Sequence, residues 1–93
     1  MAAYRVVLSA AAQRQLDRLR GSPFAALRGV ILALADDPRP AGAAKLAGRH
    51  DLWRIRVRID GRAWRVVYQL DDRKQLVVVT RVAPRDEGTY RGL

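Results

Sequence analysis

Leu52-Trp53-Arg54-Ile55-Arg56-Val57-Arg58-Ile59 is the stretch on which the fold turns. Successive side chains of a β-strand point to opposite faces. Trp53, Ile55, Val57 and Ile59 therefore share one face, and Arg54, Arg56 and Arg58 share the other. An antiparallel sheet with one covered and one wet face produces such alternation. Three like charges in a row, roughly 7 Å apart, are a further matter. They repel one another unless an anion, such as a phosphate or an acidic partner, lies opposite.

Two more β-prone runs follow, Trp64–Leu70 and Gln75–Val82, with turns at Asp60-Gly61-Arg62-Ala63 and Asp71-Asp72-Arg73-Lys74. Each turn is short enough for a hairpin, so residues 52–82 read as a three-stranded meander. Upstream, Tyr4–Leu8 reads as a first strand, and Ser9 as the cap of a helix with Ala12, Leu16 and Leu19 on its apolar side. Gly21 closes that helix. Ser22-Pro23 opens a second one, as a cap followed by proline at the first helical position. Phe24, Leu27, Ile31 and Leu34 form its apolar face. Asp37-Pro38-Arg39-Pro40 stops it, because a residue before proline is pushed out of the helical region. Residues 41–51 read as a polar loop. The expectation is a single α+β domain over residues 1–93, in the order β-α-α-β-β-β. An antiparallel sheet would carry the helical hairpin on one face and leave a basic face open.

Composition points the same way. The chain carries 18 basic and 9 acidic residues, a net charge of +9, and sixteen of the basic residues are arginine. So basic a small chain associates with polyanions at low salt. A general replacement of lysine by arginine accounts for part of that excess, so position says more than number. The chain has no cysteine, which removes disulfides and thiolate sites. It shows neither a long apolar run nor a leader pattern, and a soluble, cytoplasmic protein is expected.

The chemistry available is narrow. The only histidine, His50, lies in a loop, which rules out a two-histidine nuclease. The carboxylates fall mostly in turns and at helix ends, where aspartate bonds to local backbone, and no pair marks a metal site. No metal and no cofactor are expected. Arg54 and Arg56 have the best claim to function, and Arg65 alternates against Trp64, Val66 and Tyr68, onto the basic face. Arg58, near its strand end, and Lys45, one of two lysines, are candidate phosphate contacts. Trp53, Trp64 and Tyr68 match the apolar parity and belong to the core.

The segments Asp37-Pro38-Arg39-Pro40, Lys45-Leu46-Ala47-Gly48, Leu52–Val57, Trp64-Arg65-Val66-Val67-Tyr68 and Arg81-Val82-Ala83-Pro84-Arg85 together resemble the RelE/ParE toxin superfamily of bacterial type II toxin–antitoxin systems. Its RelE branch cuts messenger RNA in the ribosomal decoding site; its ParE branch inhibits DNA gyrase. Transferred by position, the resemblance to RelE implies a catalytic set of Arg54, Arg56, Arg65, Arg85 and Tyr90. All five slots hold a suitable residue, which favours the RNase branch. The second-strand pair is often lysine in RelE and is arginine here, and Ala83-Pro84 stands where a glycine–basic pair is commoner.

The resemblance implies metal-independent cleavage, with the RNA's own 2′-hydroxyl as nucleophile. Guanidinium forks would stabilise charge on the non-bridging oxygens. A guanidinium is a poor base, so the general base stays open. The implied partners are a cognate antitoxin, the ribosome with its mRNA, and operator DNA reached through the antitoxin complex, with no membrane. A ParE-type gyrase inhibitor, or a decayed toxin that only binds its antitoxin, are the rival readings.

Overall fold

The computed structural model describes residues 3–46, 48 and 51–84. Its central feature is the hairpin of β3 (Leu52–Ile59) and β4 (Arg62–Asp71). Asp60 and Gly61 both have positive φ, 51° and 80°. That pair of values belongs to a two-residue turn whose twist matches that of the strands, and Asp-Gly is the sequence best suited to it. The turn is thus two residues long rather than four, and β4 begins at Arg62. It sets Ile59 opposite Arg62, and from there Val57 meets Trp64, Ile55 meets Val66 and Trp53 meets Tyr68. The apolar residues of both strands are locked onto one face together.

Among the described residues the sheet has five strands in the order β1-β5-β4-β3-β2, with β1 at Arg5–Leu8, β2 at Ala43–Lys45 and β5 at Leu76–Pro84. Two features depart from the expectation. The sheet is mixed, because β1 lies parallel to β5. The two helices cross the sheet face and carry the chain from β1 to β2 at the far edge. The antiparallel run β3-β4-β5 then returns to set the last strand beside the first in the same direction. The segment read as a polar loop also contributes β2, which extends the edge by pairing Ala43 with Ile55 and Lys45 with Trp53.

Ser9 caps α1 (Ala10–Asp17) as expected, its hydroxyl accepting the Ala12 N–H at 3.1 Å. The second helix differs. α2 runs Gly21–Ala33, its cap position is Arg20, and no side chain caps it, so Ser22 lies inside the helix. Arg20 instead donates through Nη1 to the carbonyls of Asp17 and Leu19, at 2.8 and 2.9 Å. Those are orphan acceptors at the end of α1. Gly21, with φ +62°, makes the reversal that lets the two helices meet.

Both helices cover the apolar sheet face. Ala12 and Leu16 of α1 and Leu27 and Ile31 of α2, with Leu34 just beyond it, pack with Ile55, Ile59, Trp64, Val66, Tyr68, Leu70, Val77, Val79 and Val82 as one core. Tyr68 is fully buried, and its hydroxyl donates to the Pro38 carbonyl at 2.6 Å, tying the exit of α2 to the central strand. Burial pushes the Tyr68 phenol up to about 12, so it stays protonated where an exposed tyrosine ionises. The stability this group contributes is complete below pH ~10, its unfolded value, and is lost as pH climbs toward 12. Tyr68→Phe is expected to cost about 1 kcal/mol at pH 7, seen as a Tm lower by roughly 4–8 °C. The same variant should lose less stability than the parent between pH 10 and 12 in denaturant titrations; an unchanged alkaline loss would contradict this account.

Candidate nucleic-acid interface

The register that buries the apolar residues also assembles the arginines. On the face away from the helices, Arg56 stands directly opposite Arg65, Arg54 opposite Val67 and Arg58 opposite Ala63. Directly opposed Cβ atoms lie about 4.5–5.5 Å apart, and like charges at that spacing are unfavourable. Arg65 is only 4% exposed and is the one buried charged residue among the described residues. A wholly open basic face was expected, and at Arg65 the face is closed. The reason is topological: β4 is the middle strand of five, so Arg65 has Arg54 and Arg56 on one flank and the β5 side chains on the other.

The other expected residues divide. Arg54 is half-buried, and its Nη1 donates to the Gly42 carbonyl at 3.3 Å, which leans it toward β2. Arg56 is exposed. Arg58 is exposed and donates to the Gly61 carbonyl at 3.0 Å, so it belongs to the hairpin tip. Lys45 is not part of this group. It pairs with Trp53 and therefore shares the helix-side parity, with its ammonium 5.8 Å from the Trp53 ring centre. Arg39 lies 5.3 Å from the same ring, in a cleft of about 470 Å³ that also includes Asp72. There the Arg39 guanidinium and the Tyr4 hydroxyl both donate to Asp72, which holds that carboxyl below its usual range. Trp53 is half-buried against the core, while Trp64 and Tyr68 are fully core residues, as their parity implied. Arg85, Tyr90 and His50 lie outside the described residues.

One arginine joins the face without having been expected there. Simple alternation from the buried Val77 and Val79 would turn Arg81 toward the helices. A bulge intervenes: Tyr68 pairs with Val79 but Val67 pairs with Arg81, leaving Thr80 as the extra residue. Val82 then rejoins the core, and Arg81 comes up on the arginine face across Val67 from Arg54. A strand of this length with one parity break carries the only sequence signal, since two buried valines and a third, Val82, fall on one face only if one residue is skipped.

The result is a patch built from Arg54, Arg56, Arg65 and Arg81 around the apolar Val67. On β4 the first carboxylate of that face is Asp71, six residues from Arg65 and so roughly 20 Å away. Its oxygen accepts the Lys74 N–H at 3.1 Å. The patch can hold phosphate oxygens through planar N–H forks and can stabilise charge that grows on them. Because the arginines repel one another in the free protein, Tm should rise as NaCl goes from about 0.02 to about 0.5 M, and Arg56→Gln should flatten that rise. A Tm that falls with salt in the parent protein would contradict the patch as described.

A family model described as the ParE toxin of type II toxin–antitoxin system, parDE, matches residues 6–88. No curated protein sequence matches significantly. Among solved structures, the isolated E. coli RelE toxin is similar over 91% of this chain and 89% of its own, with a TM-score of 0.74 and 25% identity. The RelBE2 toxin–antitoxin complex from Mycobacterium tuberculosis matches 89% of this chain and 99% of its own, with a TM-score of 0.73 and 26% identity. An archaeal RelE–RelB complex from Pyrococcus horikoshii shares the fold, with a TM-score of 0.71 at 22% identity over 91% and 98% of the two chains.

Proposed function

Since the chain belongs to the ParE toxin family of type II toxin–antitoxin systems, within the RelE/ParE superfamily, we propose that it is a ribosome-dependent endoribonuclease that cuts mRNA in the decoding site. The observation that carries this reading is Arg65, buried on the central strand and opposed by Arg56. A guanidinium held in place by packing needs no reorganisation when charge develops on a phosphodiester, which is the condition for electrostatic catalysis. The RNA's 2′-hydroxyl attacks the adjacent phosphorus, the P–O5′ bond breaks, and a 2′,3′-cyclic phosphate and a 5′-hydroxyl result. Arg65 and Arg85 neutralise the non-bridging oxygens, Arg54 and Arg56 grip the flanking backbone, and Tyr90 stacks on a base. The step draws on no metal or cofactor. No carboxylate adjoins the patch among the described residues, and the ribosome supplies the in-line geometry of the message. Free RNA is therefore cut slowly or not at all.

The solved RelE relatives include complexes with an antitoxin, which supports a cognate antitoxin here. The antitoxin neutralises the toxin and carries the pair to its operator DNA. No described helix is long and apolar enough to cross a membrane, and the reading places the protein in the cytoplasm with its ribosomal target. The family model's own description favours one alternative, a ParE-type inhibitor of DNA gyrase.

Translation of a defined message on purified ribosomes, with mapping of new RNA ends, separates the two. Cuts at the decoding site are expected, reduced about 10²–10³-fold by Arg65→Gln and by Arg85→Ala in protein that keeps its Tm and its antitoxin binding. Intact message together with inhibited supercoiling by gyrase would establish the alternative. Arg58→Ala should weaken binding in a salt-dependent way, most at low salt and least at high salt, with the rate at saturation retained.

A further inference from the structure

Arg81 is the one arginine of the patch placed there by an irregularity rather than by alternation. Its Nε is buried and has no hydrogen-bond partner among the described residues. A buried donor left unmatched is unfavourable, and so is a fourth guanidinium beside Arg54, Arg56 and Arg65. Groups that destabilise the free protein in this way concentrate where a ligand completes them. The missing ligand must be an acceptor and an anion, because it has to satisfy the Nε–H and offset the crowding of positive charge. A phosphate oxygen does both.

The bulge determines which phosphate. Arg54 and Arg81 occupy one cross-strand row, with Val67 between them, and Arg56 and Arg65 occupy the next. Rows two residues apart along a strand are separated by roughly 7 Å. Arg81 is thus diagonal to Arg65 across β4 and β5, one row removed from the fixed charge assigned to the scissile phosphate. We propose that Arg81 binds a neighbouring, non-scissile phosphate of single-stranded RNA and sets the path of the strand across the sheet. This rests on the ribonuclease reading above. A contact to a non-reacting phosphate is made equally in the ground and transition states, so it lowers KM without raising kcat. Arg81 is on these grounds a binding residue, with the chemistry left to Arg65.

Arg81→Gln, Arg81→Lys and Arg28→Gln test this. Arg28 is exposed on α2, on the helix side, and removes one charge remote from the patch. Binding of a fluorescent single-stranded RNA oligomer would be measured against NaCl concentration, with KM and kcat on ribosome-bound message and Tm for each variant. Arg81→Gln should weaken RNA binding about tenfold, reduce the salt slope by about one, and raise KM with kcat within about twofold of the parent. It should not lower Tm, since a structural arginine would leave a defect and an unmatched one leaves none. Arg81→Lys should recover most of the affinity. Equal affinity for Arg81→Gln and Arg28→Gln would overturn the assignment while leaving the ribonuclease reading in place. So would a kcat loss as large as that of Arg65→Gln, or a lower Tm. Absence of both RNA binding and cleavage in the parent would overturn the ribonuclease reading, and the Arg81 assignment with it.

Discussion

The two-residue turn at Asp60-Gly61 is the constraint from which the rest follows. With both φ values positive it allows one register between β3 and β4, and in a pleated pair one register allows one division of faces. The same alternation that puts Ile55, Val66, Trp64 and Tyr68 beneath the helices puts Arg54, Arg56, Arg58 and Arg65 on the opposite side. Slippage by one residue would bury a row of guanidiniums against α1 and α2. Core formation and charge assembly are therefore a single event, and the apolar contacts hold a cationic surface that would not assemble for its own sake.

That coupling explains how so much like charge is tolerated. Burial of the fourteen-residue core supplies the stability, and the arginine face draws on it. Where a side chain can relieve the strain it does: Arg54 leans to Gly42 and Arg58 to Gly61. Arg65 cannot move away, because it sits on the middle strand with neighbours on both flanks. The residue with least freedom is the one best suited to meeting a charge that appears only during reaction. Elsewhere, Arg39 and Tyr4 share Asp72 near Trp53, in an arrangement already compensated within the protein and with no comparable demand for an anion.

Much of this was legible in the sequence. Element order, the apolar parity of Trp64 and Tyr68, the Ser9 cap and the opposition of Arg65 to its own strand's apolar residues all follow from period and punctuation. Other features obeyed non-local causes. Ala43–Lys45 has weak β propensity and is a strand because β3 offers it a free edge. The parallel placement of β1 depends on where the helices deliver the chain. Ser22 resembled a cap, but Gly21 turned earlier and Arg20 served the end of α1 instead. Lys45 reads as a loop lysine in the sequence, and its place in β2 opposite Trp53 follows from an edge pairing that the sequence does not signal. Arg81 was hidden by a one-residue bulge, since parity counted through Val77 and Val79 aims it at the core.

The most direct test of the central claim is an NMR titration that follows arginine Nε–Hε and lysine side-chain resonances as a single-stranded RNA analogue, lacking the 2′-hydroxyl at its cleavage position, is added. The account predicts shifts at Arg54, Arg56, Arg65 and Arg81, with Arg39 and Lys45 unmoved beside Trp53. Shifts confined to the Trp53 cleft, with the arginine face silent, would contradict it.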